Sequence, residues 1–372
     1  MTATIRLPGR TEPLVIPEPR WASGYPPPVS RRVYAAAHVA VTGDGAIDWA
    51  ATAGFREYLW AHGFAVAEAM DTAQRGMGLD WPAARELIGR TAARAAELGG
   101  GIACGAGTDQ LPPGRHGLSD IIGAYAEQVT AVQQAGSEVI VMASRALAAS
   151  ARSAGDYLEV YGQVLRMAQR PVILHWLGQD FDPALGGYWG GADFGTAAST
   201  VLELIGHSPG KVSGVKLSVL DAADEVTLRR ALPPGVRLYT GDDFHYADLI
   251  RGDENGHSDA LLGAFAAITA PAAAALHALD AGDTGGYDAA IGPTVPLSRV
   301  IFEPPTRYYK VGVAFLAWLN GLQPSAAMLG GLHRQRPVTH LIRVFELAAG
   351  ADALRDPERA AWLMTRLLAA GL

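Results

Sequence analysis

Short apolar runs that stop at a polar or small residue recur along this chain, and most are followed by an amphipathic stretch of helical period. The marker positions are His38, Thr72, Thr108, Ser144, His175, Lys216, Asp242 and Gly263. They fall at intervals of about 34, 36, 36, 31, 41, 26 and 21 residues, each compatible with one strand–helix unit. Eight such units in series predict an α/β chain folded as a (β/α)8 TIM barrel. An open doubly wound sheet is the alternative. The absence of a G-x-G-x-x-G after the first run weighs against it.

The runs are Val33–Val41, Phe64–Met70, Gly101–Gly107, Glu138–Ala143, Pro171–Trp176, the stretch around Lys216, Val236–Thr240 and Asp259–Phe265. Helices are expected near Trp49–His62, Trp81–Leu98, Leu118–Ala135, Ala154–Ala168 and Pro271–Leu279. Asp80 and Pro82 suit the N-cap and first turn of the second of these. Residues 1–31 are proline-rich and aperiodic, and read as an extended arm. Residues 32–283 form the expected barrel, and 284–372 a helical appendage with segments at Tyr287–Ile291, Thr306–Leu322, Val338–Ala349 and Pro357–Leu368. The glycine-rich stretch Gln179–Gly195 follows the fifth run and carries Phe181, Tyr188, Trp189 and Phe194. It fits either a lid over a site or a solvated insertion.

Composition narrows the function classes. The chain is 49% hydrophobic, enough for a sizeable core, and its net charge of −7 comes without any lysine-rich run. Nucleic acid and anionic membranes are therefore not expected partners. A single cysteine, Cys104, cannot make an intrachain disulfide and suits a reducing compartment. The first 30 residues lack the apolar centre of a signal peptide, and no apolar stretch of about 20 residues appears, so a cytoplasmic protein is expected.

Lysine usage points to the chemistry. Of 30 basic residues only Lys211, Lys216 and Lys310 are lysines. Lys216 lies in GKVSGVKLSVLD (Gly210–Asp221), between Val215 and Leu217, where burial would strip its hydration and lower its pKa. That is the usual route by which an amine becomes a Schiff-base nucleophile. The plainer reading is a strand-end lysine that snorkels to water or pairs with Asp221. Lys211 is expected to be solvated, Lys310 structural, and Cys104 an inert buried thiol.

The segments PVILHW (Pro171–Trp176), GVKLSVLD (Gly214–Asp221) and YTGDD (Tyr239–Asp243) resemble, in order and spacing, those of the dihydrodipicolinate synthase / N-acetylneuraminate lyase family. GIACGAG (Gly101–Gly107) is similar to that family's third-strand glycine motif, and DGAIDWAA (Asp44–Ala51) to its turn into the first helix. The resemblance runs from about Arg32 to Asp283. It implies a class I aldolase, lyase or dehydratase in which Lys216 forms an imine with a 2-oxo acid, without a cofactor, in a homo-oligomer. It also implies substrate contacts from Gly105, Gly107 and Thr72. Two positions depart from the family. His175 stands where the family has a proton-relaying tyrosine, a role histidine can fill near neutral pH. Met70-Asp71-Thr72-Ala73-Gln74 stands where the family has Gly-Thr-Thr-Gly-Glu, so Asp71 would repel a carboxylate and a sugar-derived acid is the expected alternative to pyruvate.

Asp71, Asp242, Asp243 and His38 complete the candidate substrate contacts, against plainer readings of Asp242 and Asp243 as turn caps and of His38, like His175 beside Trp176, as a core histidine. Two other classes stay open. A metal-dependent isomerase or hydrolase would use His38, Asp71, His175, Asp242 and His245, although no H-x-H or H-E-x-x-H spacing is present. A non-catalytic ligand-binding relative would keep the barrel without turnover.

Overall fold

The computed structural model of the chain describes residues 2–370. Eight strands close a barrel, and their residue ranges follow the expected runs, trimmed at the ends. They are β3 (Val33–Ala36), β4 (Ala65–Glu68), β5 (Ile102–Ala106), β6 (Glu138–Val141), β7 (Val172–Leu177), β8 (Val212–Ser218), β9 (Arg237–Thr240) and β10 (Asp259–Leu262). Their order around the barrel is β10-β3-β4-β5-β6-β7-β8-β9, with parallel pairing. The strands read as nearly continuous apolar runs because a parallel barrel covers both of their faces. All six residues of β7 and all four of β3 are buried.

The 18-residue helix Trp81–Leu98 has the expected ends. Asp80 Oδ1 accepts from Ala83 N–H at 3.0 Å, and Gly99 closes the helix at φ 69°, a conformation open to residues lacking Cβ. Other helical segments lie at Trp49–Ala61, Leu118–Gln134, Ala154–Met167, Thr269–Asp280, Thr284–Ile291, Val338–Gly350 and Pro357–Ala369. The single helix expected over Thr306–Leu322 is instead a 3-10 turn, Thr306–Tyr308, followed by the helix Lys310–Leu319. Helices at Phe194–His207, Ala222–Ala231 and Thr294–Ile301 were not expected from the pattern.

Two further departures concern the proline-rich and glycine-rich stretches. The N-terminal segment is not merely extended: β1 (Ala3–Ile5) pairs antiparallel with β2 (Leu14–Ile16), and Ile5, Leu7 and Ile16 are buried. Pro8 and Pro13 lie in the connection between its strands and Pro17 follows it, and three-residue strands are too short for readable alternation. In the stretch after β7 the large side chains turn inward, while most of the residues between them are exposed. Phe181, Leu185, Tyr188 and Trp189 are buried, and an ion pair joins Asp182 to Arg145. Tyr188 Oη accepts from Ser144 N–H at 2.8 Å and lies 2.8 Å from Tyr161 Oη. Gly190 permits the close approach: a Cβ there would lie 2.6 Å from Ala154 N.

By its packing the chain groups into two compact units. One holds both ends of the chain, up to Val66 and from Leu262, together with Thr72–Gly78; the other holds Ala67–Asp71 and Leu79–Leu261. Among the described residues, no helix is long and apolar enough to cross a membrane.

Candidate active site

In the unit Ala67–Asp71 and Leu79–Leu261, strand period places the key side chains. Alternate residues of a strand share a face, so Gly214, Lys216 and Ser218 project together from β8. The β7–β8 register sets His175 directly beside Lys216, and the β8–β9 register sets Tyr239 on its other side. Lys216 is 7% exposed. Burial, the largest influence, draws its pKa down to about 8, while the charges of Asp243 and then Asp71 pull the other way. A useful fraction of the amine is therefore neutral near physiological pH.

His175 is buried, and its pKa falls well below the usual histidine value, first through lost hydration and then through the nearby Lys216 charge. It is a neutral imidazole. Its Nε2 lies 3.2 Å from Ser218 Oγ, while Nδ1 has no hydrogen-bond partner. Gly241, just past β9, makes room for this arrangement. A Cβ there would stand 2.2 Å from Ser218 Oγ, 2.8 Å from Leu217 O and 3.0 Å from Lys216 Cε. Ser218 and Gly241 were not singled out in the sequence. Ser218 was findable as the next same-face residue after Lys216, whereas the need for a glycine at 241 is visible only once β8 and β9 are side by side.

The paired acids have separate surroundings. Asp242 is fully buried, and its Oδ1 accepts from Phe244 N–H at 2.8 Å and His245 N–H at 3.1 Å. Its Oδ2 lies 2.7 Å from His245 Nδ1, so this carboxylate organises the turn after β9. Asp243 and Asp71 are the acids whose charge reaches Lys216. Gly105 serves close packing, since a Cβ would lie 2.6 Å from Met142 Sδ and 2.8 Å from Ala69 O. Gly107 N–H donates to Gln128 Oε1 at 2.6 Å. Cys104 is fully buried, 3.1 Å from Ser137 Oγ, as an inert thiol would be. Lys211 is half-buried and not simply solvated, since its Nζ donates to Ala168 O at 2.8 Å.

The remaining candidates belong to the unit that holds the chain ends. Thr72 Oγ1 shares a 2.7 Å hydrogen bond with Tyr309 Oη, and the Tyr309 ring stacks on Phe302 at 4.3 Å. No sequence signal links residues 237 positions apart, so Tyr309 was not legible as a partner of Thr72. His38 lies just past β3, is buried, and has its pKa lowered to about 4, chiefly by burial. Its Nε2 lies 2.6 Å from Gln323 Oε1, and Phe55 packs edge-on at 4.5 Å. Lys310 is fully buried, with Nζ donating to Arg307 O at 2.9 Å and lying 4.6 Å from the Tyr309 ring centroid. Among the described residues, no group of three or more His, Cys, Asp or Glu side chains is placed to hold a metal ion.

Comparison with solved structures finds the same fold in dihydrodipicolinate synthases. That from Aquifex aeolicus is 13% identical with a TM-score of 0.66, covering 87% of this chain and 99% of its own. That from Oceanobacillus iheyensis is 14% identical with a TM-score of 0.65, covering 86% and 95%. YagE from E. coli K12, a prophage protein of the dihydrodipicolinic acid synthase family in complex with pyruvate, is 17% identical with a TM-score of 0.65, covering 92% and 99%. No curated protein matches the sequence. A sequence family spans nearly the whole chain, residues 9–371, and its description is "Protein of unknown function (DUF993)". The chain belongs to the DUF993 family and carries the barrel fold of the dihydrodipicolinate synthases.

Proposed function

We propose that this protein is a class I aldolase, lyase or dehydratase in which Lys216 forms an imine with a 2-oxo acid. The observation that carries the proposal is a buried lysine, its pKa drawn down to about 8, set in register with a neutral buried histidine. The fold shared with YagE, whose structure contains pyruvate, supports a 2-oxo acid as the electrophile.

In this reading neutral Lys216 Nζ adds to the ketone carbon of the substrate. The nitrogen gives up a proton, the former carbonyl oxygen gains one, and loss of water leaves the imine. His175 Nε2 lies 3.2 Å from the Ser218 hydroxyl while Nδ1 is buried, so a proton can pass between the imidazole and that hydroxyl. Being hard to protonate, His175 serves as a transient carrier and not as a resident acid. Asp243 and Asp71 place negative charge around the amine, which favours a substrate offering hydroxyl donors over one offering a second carboxylate. A sugar-derived 2-oxo acid meets that requirement better than pyruvate alone.

Borohydride trapping of the full chain with pyruvate and a panel of sugar-derived 2-oxo acids, read by intact mass, tests the proposal. An adduct that maps to Lys216 and is absent in Lys216→Ala supports it. Conversion of a panel member by an undiminished Lys216→Ala variant would overturn it.

A further inference from the structure

The unit that holds the chain ends contains a cavity of about 180 Å³ that shares no residue with the Lys216 site. Its lining includes Trp21 of the N-terminal segment, Tyr58 and His62, and Asn320, Asp352 and Arg355. Most of the remaining lining is alanine and proline.

The polar groups here are biased to one sign. The Arg355 guanidinium lies over the Tyr58 ring, 4.7 Å from its centroid. Its backbone is anchored by Arg355 N–H donating to Asn320 Oδ1 at 2.8 Å. No carboxylate pairs with that guanidinium among the described residues. The one acid in the wall, Asp352, is ion-paired to Arg20. The Trp21 indole N–H is buried without a hydrogen-bond partner, an uncompensated donor that normally costs stability. Burial pushes the Tyr58 phenol up to about 12, and it lowers the pKa of His62, whose Nδ1 lies 2.8 Å from Tyr58 O. With Asp352 held by Arg20, the Arg355 guanidinium is the unpaired charge beside a lining that is mainly alanine and proline, with Ser23, Thr269 and Asn320 among it.

We propose that this cavity is a second ligand site, which takes a small ring-bearing monocarboxylate. The carboxylate meets Arg355, and the ring fills the apolar interior. Guanidinium presents a planar fork of donors that matches a carboxylate, and stacking on Tyr58 holds the fork in place. The size is suitable, because an apolar cavity of about 150 Å³ accommodates benzene.

Benzoate, benzamide and benzylammonium are the probes, titrated into the full chain by tryptophan fluorescence and calorimetry. Benzoate should bind one to one, at least about tenfold tighter than neutral benzamide, with benzylammonium weakest. Arg355→Gln should reduce benzoate to the benzamide level. Lys216→Ala should leave benzoate affinity unchanged, which locates the site. Arg355 is exposed, so Arg355→Gln should melt at the temperature of the parent. Equal affinity for the three probes, unchanged benzoate binding in Arg355→Gln, or its loss in Lys216→Ala would each overturn the proposal.

Discussion

Replacing Lys216 by methionine should change how stability depends on pH, and by an amount that follows from the lysine's burial. The unfolded chain releases the lysine proton near 10.5, whereas the folded chain releases it near 8. Each pKa unit corresponds to about 1.4 kcal/mol, so the folded barrel carries a charge it disfavours by about 3 kcal/mol at pH 7. Below pH 8 both states hold the proton and wild type bears the whole cost. Between pH 8 and 10.5 the unfolded chain holds the proton and the folded chain does not, so wild-type stability rises relative to the methionine variant. Above pH 10.5 the cost is gone. Methionine is of similar length and uncharged, but it leaves Asp243 and Asp71 without the opposing charge, which offsets part of the gain at pH 7. The diagnostic quantity is therefore the slope of the difference, not its value at one pH. Urea unfolding of both proteins at half-unit steps from pH 7 to 10.5 measures it, with other titrating groups common to the two chains. A stability difference that stays flat to within about 0.5 kcal/mol across that range would refute a depressed Lys216 pKa, and with it the case for a nucleophilic amine.

Two other perturbations probe the same neighbourhood. Gly241→Ala places a methyl group 2.8 Å from Leu217 O and against Ser218 Oγ; since the carbonyl cannot yield as a side-chain tip could, we expect about 1–3 kcal/mol of destabilisation in urea unfolding and slower trapping at Lys216. Glu225 is fully buried, with hydroxyl donors from Thr240 at 2.9 Å and Ser258 at 2.7 Å, and burial raises its pKa to about 8. Between pH 4.5 and 8 the unfolded chain loses this proton while the folded chain keeps it. Wild type should accordingly lose on the order of 5 kcal/mol relative to Glu225→Gln across that window in paired unfolding curves.

The barrel was legible because its evidence is local and repeated. Each apolar run between polar stops is a strand whose two faces are both covered, and eight of them at helix-spaced intervals leave few other architectures. Lys216 was legible for the same reason: a scarce residue type inside an apolar run stands out, and a strand in a parallel barrel must bury it. The helices Phe194–His207 and Ala222–Ala231 were not legible, the first because it emerges from a glycine-rich stretch, the second because its sequence, AADEVTLRRA, has few apolar residues to mark a face. Strand-end residues such as Asp242 and Asp243 could be named but not distinguished, since a cap and a charge beside the amine differ only in what stands opposite.

Tertiary structure decided what pairwise neighbourhood alone can decide. The sequence placed a lysine in one apolar run and a histidine in the run before it. Only the strand register set the two side by side, put Ser218 against His175, and made residue 241 a place where nothing larger than hydrogen fits. The link from Thr72 to Tyr309 is of the same kind. Periodicity reports which face of an element meets the core, because that depends on near neighbours in the chain. Which residue lies across from it depends on closing loops of many tens of residues, and no local pattern records that.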